Sequence, residues 1–102
     1  MSRRSIIAKR LEQVRKRAGI SSQAKLGILA GIDESSASTR MNYYAKGTNE
    51  PNLQTLTRIA AVVKTPVPYF YCEDDRLAEL ILKFGSLDEA QRNRLLEFAD
   101  KL

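Results

Sequence analysis

The chain has no histidine, no tryptophan and one cysteine, Cys72. Those absences remove a His/Cys zinc cage, a Ser/His/Asp triad and any internal disulfide. Cys72 follows an aromatic cluster and precedes three acids, surroundings that disfavour a thiolate, so it reads as a packed, inert thiol. Asp74 and Asp75 read as a helix start rather than a catalytic pair. No apolar run approaches the roughly 18 to 20 residues that span a membrane, and the basic residues 1–5 lead into no apolar signal segment. The expectation is a cytoplasmic protein that is not an enzyme and carries no metal or cofactor. With 102 residues and 43% hydrophobic content, it suits one modest core.

What is present is positive charge, unevenly placed. Residues 1–40 hold nine Lys/Arg against three Asp/Glu, residues 41–72 hold three against one, and residues 73–102 hold five against eight. A basic body suits a polyanion that the acidic tail would repel. A lopsided solvated surface is the plainer alternative.

Hydrophobic spacing is helical throughout. Ile7, Leu11, Val14 and Ala18 line a first helix whose other faces carry Lys9, Arg10, Arg15, Lys16 and Arg17, and Gly19 stops it. Ser21 or Ser22 caps a second helix running to about Ala30, with Leu26 as its inward anchor and Gly27 small enough for close approach. Gly31 makes the turn, Ile32 plugs it, and Asp33 or Ser35 caps a third helix running from about Ser35 to Ala45, with Ala37, Met41 and Tyr44 inward. Asn52 caps a fourth with Leu53, Leu56, Ile59, Ala60 and Val63 as its stripe. Pro66 and Pro68 shorten the fifth, in which Tyr69, Phe70 and Tyr71 supply an aromatic plug. A sixth helix carries Leu77, Leu80, Ile81 and Phe84 and closes at Gly85. Ser86 with Glu89 reads as the capping box of a seventh, lined by Leu95, Phe98 and Leu102.

The segments Gln23 to Leu26, Ala30-Gly31-Ile32, Gly47 to Pro51 and Leu53 to Ala61 resemble the Cro/C1-type, or XRE, helix-turn-helix family, over roughly residues 7–71. That resemblance implies an all-α fold: a five-helix lambda-repressor-like DNA-binding domain at 1–72, here followed by two additional C-terminal helices at 73–102. It implies a sequence-specific regulator of transcription that binds double-stranded DNA, in the role of a repressor of a phage, plasmid or bacterial operon. An antitoxin or adaptor whose terminal helices bind another protein is the alternative. There are two departures from the family pattern. Between Gly31 and Gly47 lie about four more residues than the pattern has, close to one helical turn, which lengthen either the third helix or the turn before it. Ala45 stands where the family has a glutamate that pairs with the arginine matched here by Arg15.

With the third helix as the reading element, Ser35, Ser36, Thr39, Arg40, Asn42 and Tyr43 are the expected base readers, Arg40 foremost, because arginine pairs bidentately with guanine and asparagine with adenine. Gln23, at the position that resembles the family's backbone contact, is expected on phosphate, together with Arg15, Lys46, Thr48 and Asn49. Arg3, Arg4 and Arg10 add nonspecific attraction or are simply solvated. Leu95, Phe98 and Leu102 are the expected homodimer contact, since one small domain touches too few base pairs to be specific.

Overall fold

Every α-helix in the computed structural model, which describes residues 2–102, starts on a short polar side chain that accepts a backbone N–H of its first turn. Ser2 opens α1 (Arg3–Arg17), Ser22 opens α2 (Gln23–Leu29) and Asp33 opens α3 (Glu34–Lys46). Asn52 opens α4 (Leu53–Val62), Asp74 opens α5 (Asp75–Ser86) and Asp88 opens α6 (Glu89–Asp100). Each such cap contributes about 1 kcal/mol. A 3-10 helix, Val67–Tyr71, lies between α4 and α5, and the described residues contain no strand. The fold is all-α, as the sequence predicts. None of these helices is long and apolar enough to cross a membrane.

The core gathers the inward stripes of the first four helices. Ile7, Leu11 and Val14 of α1 meet Leu26 of α2, Ala37 and Met41 of α3, and Leu56 and Ile59 of α4, all essentially without solvent exposure. Each fully buried aliphatic side chain contributes about 1.5–3 kcal/mol. Tyr69 and Phe70 close the bottom edge-on to each other, their ring centres 5.6 Å apart, so the aromatic plug forms as expected. Tyr71 stays partly exposed.

Arg10 departs from the sequence reading. It is not solvated but buried, 2% exposed, and its guanidinium reaches back 62 residues to donate to the Cys72 carbonyl from Nε at 3.0 Å and from Nη2 at 2.7 Å. Nη1 donates to Gln13 Oε1 and pairs with Asp75 Oδ1, and the planar group lies over the Tyr69 ring. Tyr69 completes the cluster by donating its hydroxyl to the same Gln13 oxygen. This cluster fastens α1 to the start of α5. Cys72 is the half-buried thiol expected, donating to the Asp74 carbonyl, and Asp74 and Asp75 serve as cap and ion-pair partner.

The chain leaves α4 through Lys64, which has φ of 52°, left-handed backbone that costs an L-residue about 1–2 kcal/mol. Thr65 N–H then donates to the Ala60 carbonyl to complete the helix end. Replacing Lys64 by glycine is therefore expected to stabilise the fold by about 0.5–1 kcal/mol after glycine's own chain-entropy cost is subtracted, read as a higher urea midpoint at unchanged slope.

Two boundaries differ from expectation at the C-terminal end. Helix α5 does not close at Gly85 but runs through it to Ser86; a Cβ on Gly85 would lie 2.7 Å from Pro66 Cδ, so this glycine serves close packing. The capping box of α6 is Asp88 with Gln91, not Ser86 with Glu89, because Ser86 still belongs to α5 and donates its hydroxyl to Lys83. Ala78 is the buried anchor of α5, whereas α6 has no buried residue. The molecule measures 50 × 27 × 22 Å, with a radius of gyration of 14.7 Å against the roughly 13 Å of a compact chain this long.

Candidate nucleic-acid interface

The turn before α3 is short. Ala30 ends α2, Gly31 and Ile32 make the corner, and Asp33 already caps the next helix. The length between Gly31 and Gly47 is therefore taken up by the helix, α3 having 13 residues. Asp33 accepts from the Ser35 N–H at 2.9 Å and from the Ser35 hydroxyl at 2.8 Å, and these two bonds, in that order, hold its exposed carboxyl below the usual range.

Close contact with α2 fixes how α3 is rotated. Gly27 sits so near α3 that a Cβ there would lie 2.5 Å from Met41 Cγ. With Ala37, Met41 and Tyr44 buried, steps of about 100° per residue turn Ser35, Thr39, Asn42 and Lys46 directly outward, and all four are exposed. Ser38 and Tyr43 lie on the two flanks of this row, both exposed. Of the six expected base readers, Ser35, Thr39, Asn42 and Tyr43 are thus brought to one surface. Ser36 does not join them: it is half-buried on the side of the body and donates its hydroxyl to the Asp33 carbonyl. Arg40 is exposed yet rotated back toward the buried face, where Nη2 donates to the Tyr44 hydroxyl at 3.1 Å. Ser38 was missed at the sequence level, because the buried triad leaves Ser36 and Ser38 about equally far round the helix and only the packed body half-buries Ser36.

The loop after α3 is held by α1. Gly47 ends α3 with φ of 73°, and a Cβ there would touch the Arg4 backbone, so the N-terminus of α1 lies directly against the loop. Arg4 donates to the Thr48 carbonyl at 2.9 Å and Arg3 pairs with Glu50. Neither arginine is a loose arm. Thr48 and Asn49 remain exposed next to Lys46, at the end of the outward row.

Arg15 and Gln23 are engaged inside the molecule. The Arg15 side chain is 15% exposed and spends its donors internally, Nη2 to Glu12 at 2.9 Å and Nη1 to the Ile20 carbonyl at 2.8 Å. Gln23 donates its amide to the other Glu12 oxygen at 3.0 Å. Glu12 thereby supplies the carboxylate that Ala45 lacks, and the hydrogen bond from Arg15 is the chief cause holding its pKa below the ordinary value. Arg15 Nε and Gln23 Oε1 are left buried without a partner inside this network. No group of acids and cysteine that could hold a metal occurs among the described residues.

No protein-family model matches the chain, and neither does any curated protein. Among solved structures it is similar to the crystal structure of the transcriptional regulator BswR, with 45% identity, 93% of each chain covered and a TM-score of 0.84. Identity at that level over nearly the whole of both chains carries the fold and the regulator role together, and this chain belongs to the family of transcriptional regulators that includes BswR.

Proposed function

We propose that this regulator is a cytoplasmic, sequence-specific binder of double-stranded DNA of the Cro/C1 type, acting as a repressor, with residues 1–72 as the DNA-binding unit and α3 in the major groove. The observation that carries this reading is the outward row Ser35, Thr39, Asn42 and Lys46, a surface of hydroxyl, amide and ammonium groups on a helix whose opposite face is locked in the core. Hydroxyl and amide side chains read base edges, while Lys46, with Thr48 and Asn49 of the adjoining loop, meets phosphate. Arg40, bonded to the Tyr44 hydroxyl, stands beside the row rather than in it. A homodimer formed through the exposed apolar side chains of α5 and α6 doubles the contacted bases and puts two copies of α3 on half-sites about one helical turn apart.

The test is binding by the intact protein to duplexes selected from a random pool, measured at several salt concentrations. Asn42→Ala is expected to cost about 1–3 kcal/mol on the best duplex and to relax one base preference, whereas Lys46→Ala weakens all duplexes alike and lowers the salt slope by about one. Equal losses on every duplex for Asn42→Ala would remove it from base reading. Preference for single strands would sink the whole reading.

A further inference from the structure

We infer that Phe98 and Leu102 of one copy fill the groove between α5 and α6 of a second copy, each chain giving and receiving the same pair. The inference rests on the dimeric reading above and specifies its geometry. The groove has a volume of about 430 Å³, and its wall, which includes Pro66, Pro68, Leu77, Leu80 and Phe84, presents no polar surface. A small-molecule site uses a few polar groups to orient its ligand, and this wall has none to offer. An apolar helix face needs none. Since a cavity of about 150 Å³ accepts benzene, the groove has room for roughly three such groups.

The matching knobs are on the same molecule. Phe98 is 61% and Leu102 92% exposed, and neither lines the groove of its own chain, whereas Leu95, the third residue of the expected dimer contact, does line it. A 12-residue helix with no buried side chain is marginal in water, so α6 requires cover to stay helical. The exposed apolar surface of Leu77, Leu80, Leu96, Phe98 and Leu102 amounts to something on the order of 500 Å², the greater part of the ~800 Å² that each side of a stable pair buries. Reciprocal insertion closes on itself about a two-fold axis, leaving no free groove to propagate.

Thiol cross-linking between differently marked chains tests this. In a Cys72→Ser background, chains carrying Leu80→Cys are mixed with chains carrying Phe98→Cys, exchanged by dilution and reconcentration, and treated with a short bismaleimide. The expected result is a mixed cross-link that dominates over either like-with-like product, in mixtures that sedimentation shows to remain dimeric. If sedimentation shows a dimer but only Phe98→Cys chains link to each other, or no chains link, the α6 helices pair without entering the grooves, and the exchange is overturned while the dimer stands. If the unmarked protein sediments as a monomer, both are overturned.

Discussion

Replacing Arg10 by alanine is expected to destabilise the protein by about 3–5 kcal/mol and to lower its melting temperature by more than about 10 °C. The side chain is 2% exposed, and its loss strands the Cys72 carbonyl, which accepts two of its bonds, together with one acceptor site on Gln13. It also opens a void against the Tyr69 ring. Arg10→Lys is expected to rescue little, because one ammonium cannot reproduce a planar fork that faces Cys72 and Gln13 at once. Arg17→Ala, an exposed arginine on the same helix, serves as the control and is expected to change stability by less than about 0.5 kcal/mol. Thermal melts followed by circular dichroism separate the three, and equal melting of Arg10→Ala and Arg17→Ala would show that the cluster holds nothing.

The same cluster carries an acid dependence. Lys9 first, then Arg10, hold the Asp75 carboxyl below its ordinary range by hydrogen bonding. A carboxyl with a depressed folded-state pKa stabilises the fold above its unfolded-state pKa, and that contribution is lost as pH falls through the folded-state value. The Arg10→Ala protein therefore has less of this contribution to lose in acid. Asp75 is exposed, so the effect is a change in the slope of stability below the ordinary carboxylate range and not a large energy.

Much of the fold was legible in particular residues. The cap Asn52 and the stops Gly19, Gly31 and Gly47 follow from local backbone chemistry, which also narrowed the other caps to Ser21 or Ser22, Asp33 or Ser35, and Asp74 or Asp75, of which the structure uses Ser22, Asp33 and Asp74. Arg10 was illegible for the opposite reason. In a helix as basic as α1 it has the sequence signature of a solvated residue, and its main partner is a backbone carbonyl 62 positions away that any residue type would provide. The start of α6 was ambiguous because Ser86 with Glu89 and Asp88 with Gln91 both have capping-box spacing; α5 runs past the first of them, with Gly85 packed against Pro66. At the interface, the inward triad Ala37, Met41 and Tyr44 set the rotation of α3 as the sequence has it. At that rotation Ser36 and Ser38 stand about equally far round from the triad, and tertiary packing half-buries Ser36 while Arg40 turns back to the Tyr44 hydroxyl.

That rotation is what Gly27 controls, and Gly27→Val is expected to cost about 3 kcal/mol in stability and to weaken specific DNA binding more than nonspecific binding. The first added carbon would lie 2.5 Å from Met41 Cγ and 3.3 Å from its sulfur, with Ile32 Cδ1 at 3.5 Å on the other side. Met41 is fully buried, so α3 must move outward or turn to make room. Either motion displaces Asn42, its neighbour in sequence, from the line it shares with Ser35 and Thr39, and a base edge read by hydrogen bonds does not tolerate that displacement. Phosphate contacts made by Lys46 through a long flexible stem tolerate it better, which is why the two kinds of binding separate. A double-mutant cycle identifies the cause: Met41→Ala alone leaves a cavity worth about 2–5 kcal/mol, but in the Gly27→Val protein it also removes the clash, so the two losses are expected to fall short of additivity by 1 kcal/mol or more, on the order seen for residues in contact. Strict additivity in urea denaturation would mean that the helices are not held apart at this point, and the rotation of α3 would then have to be set elsewhere in its contact with α1.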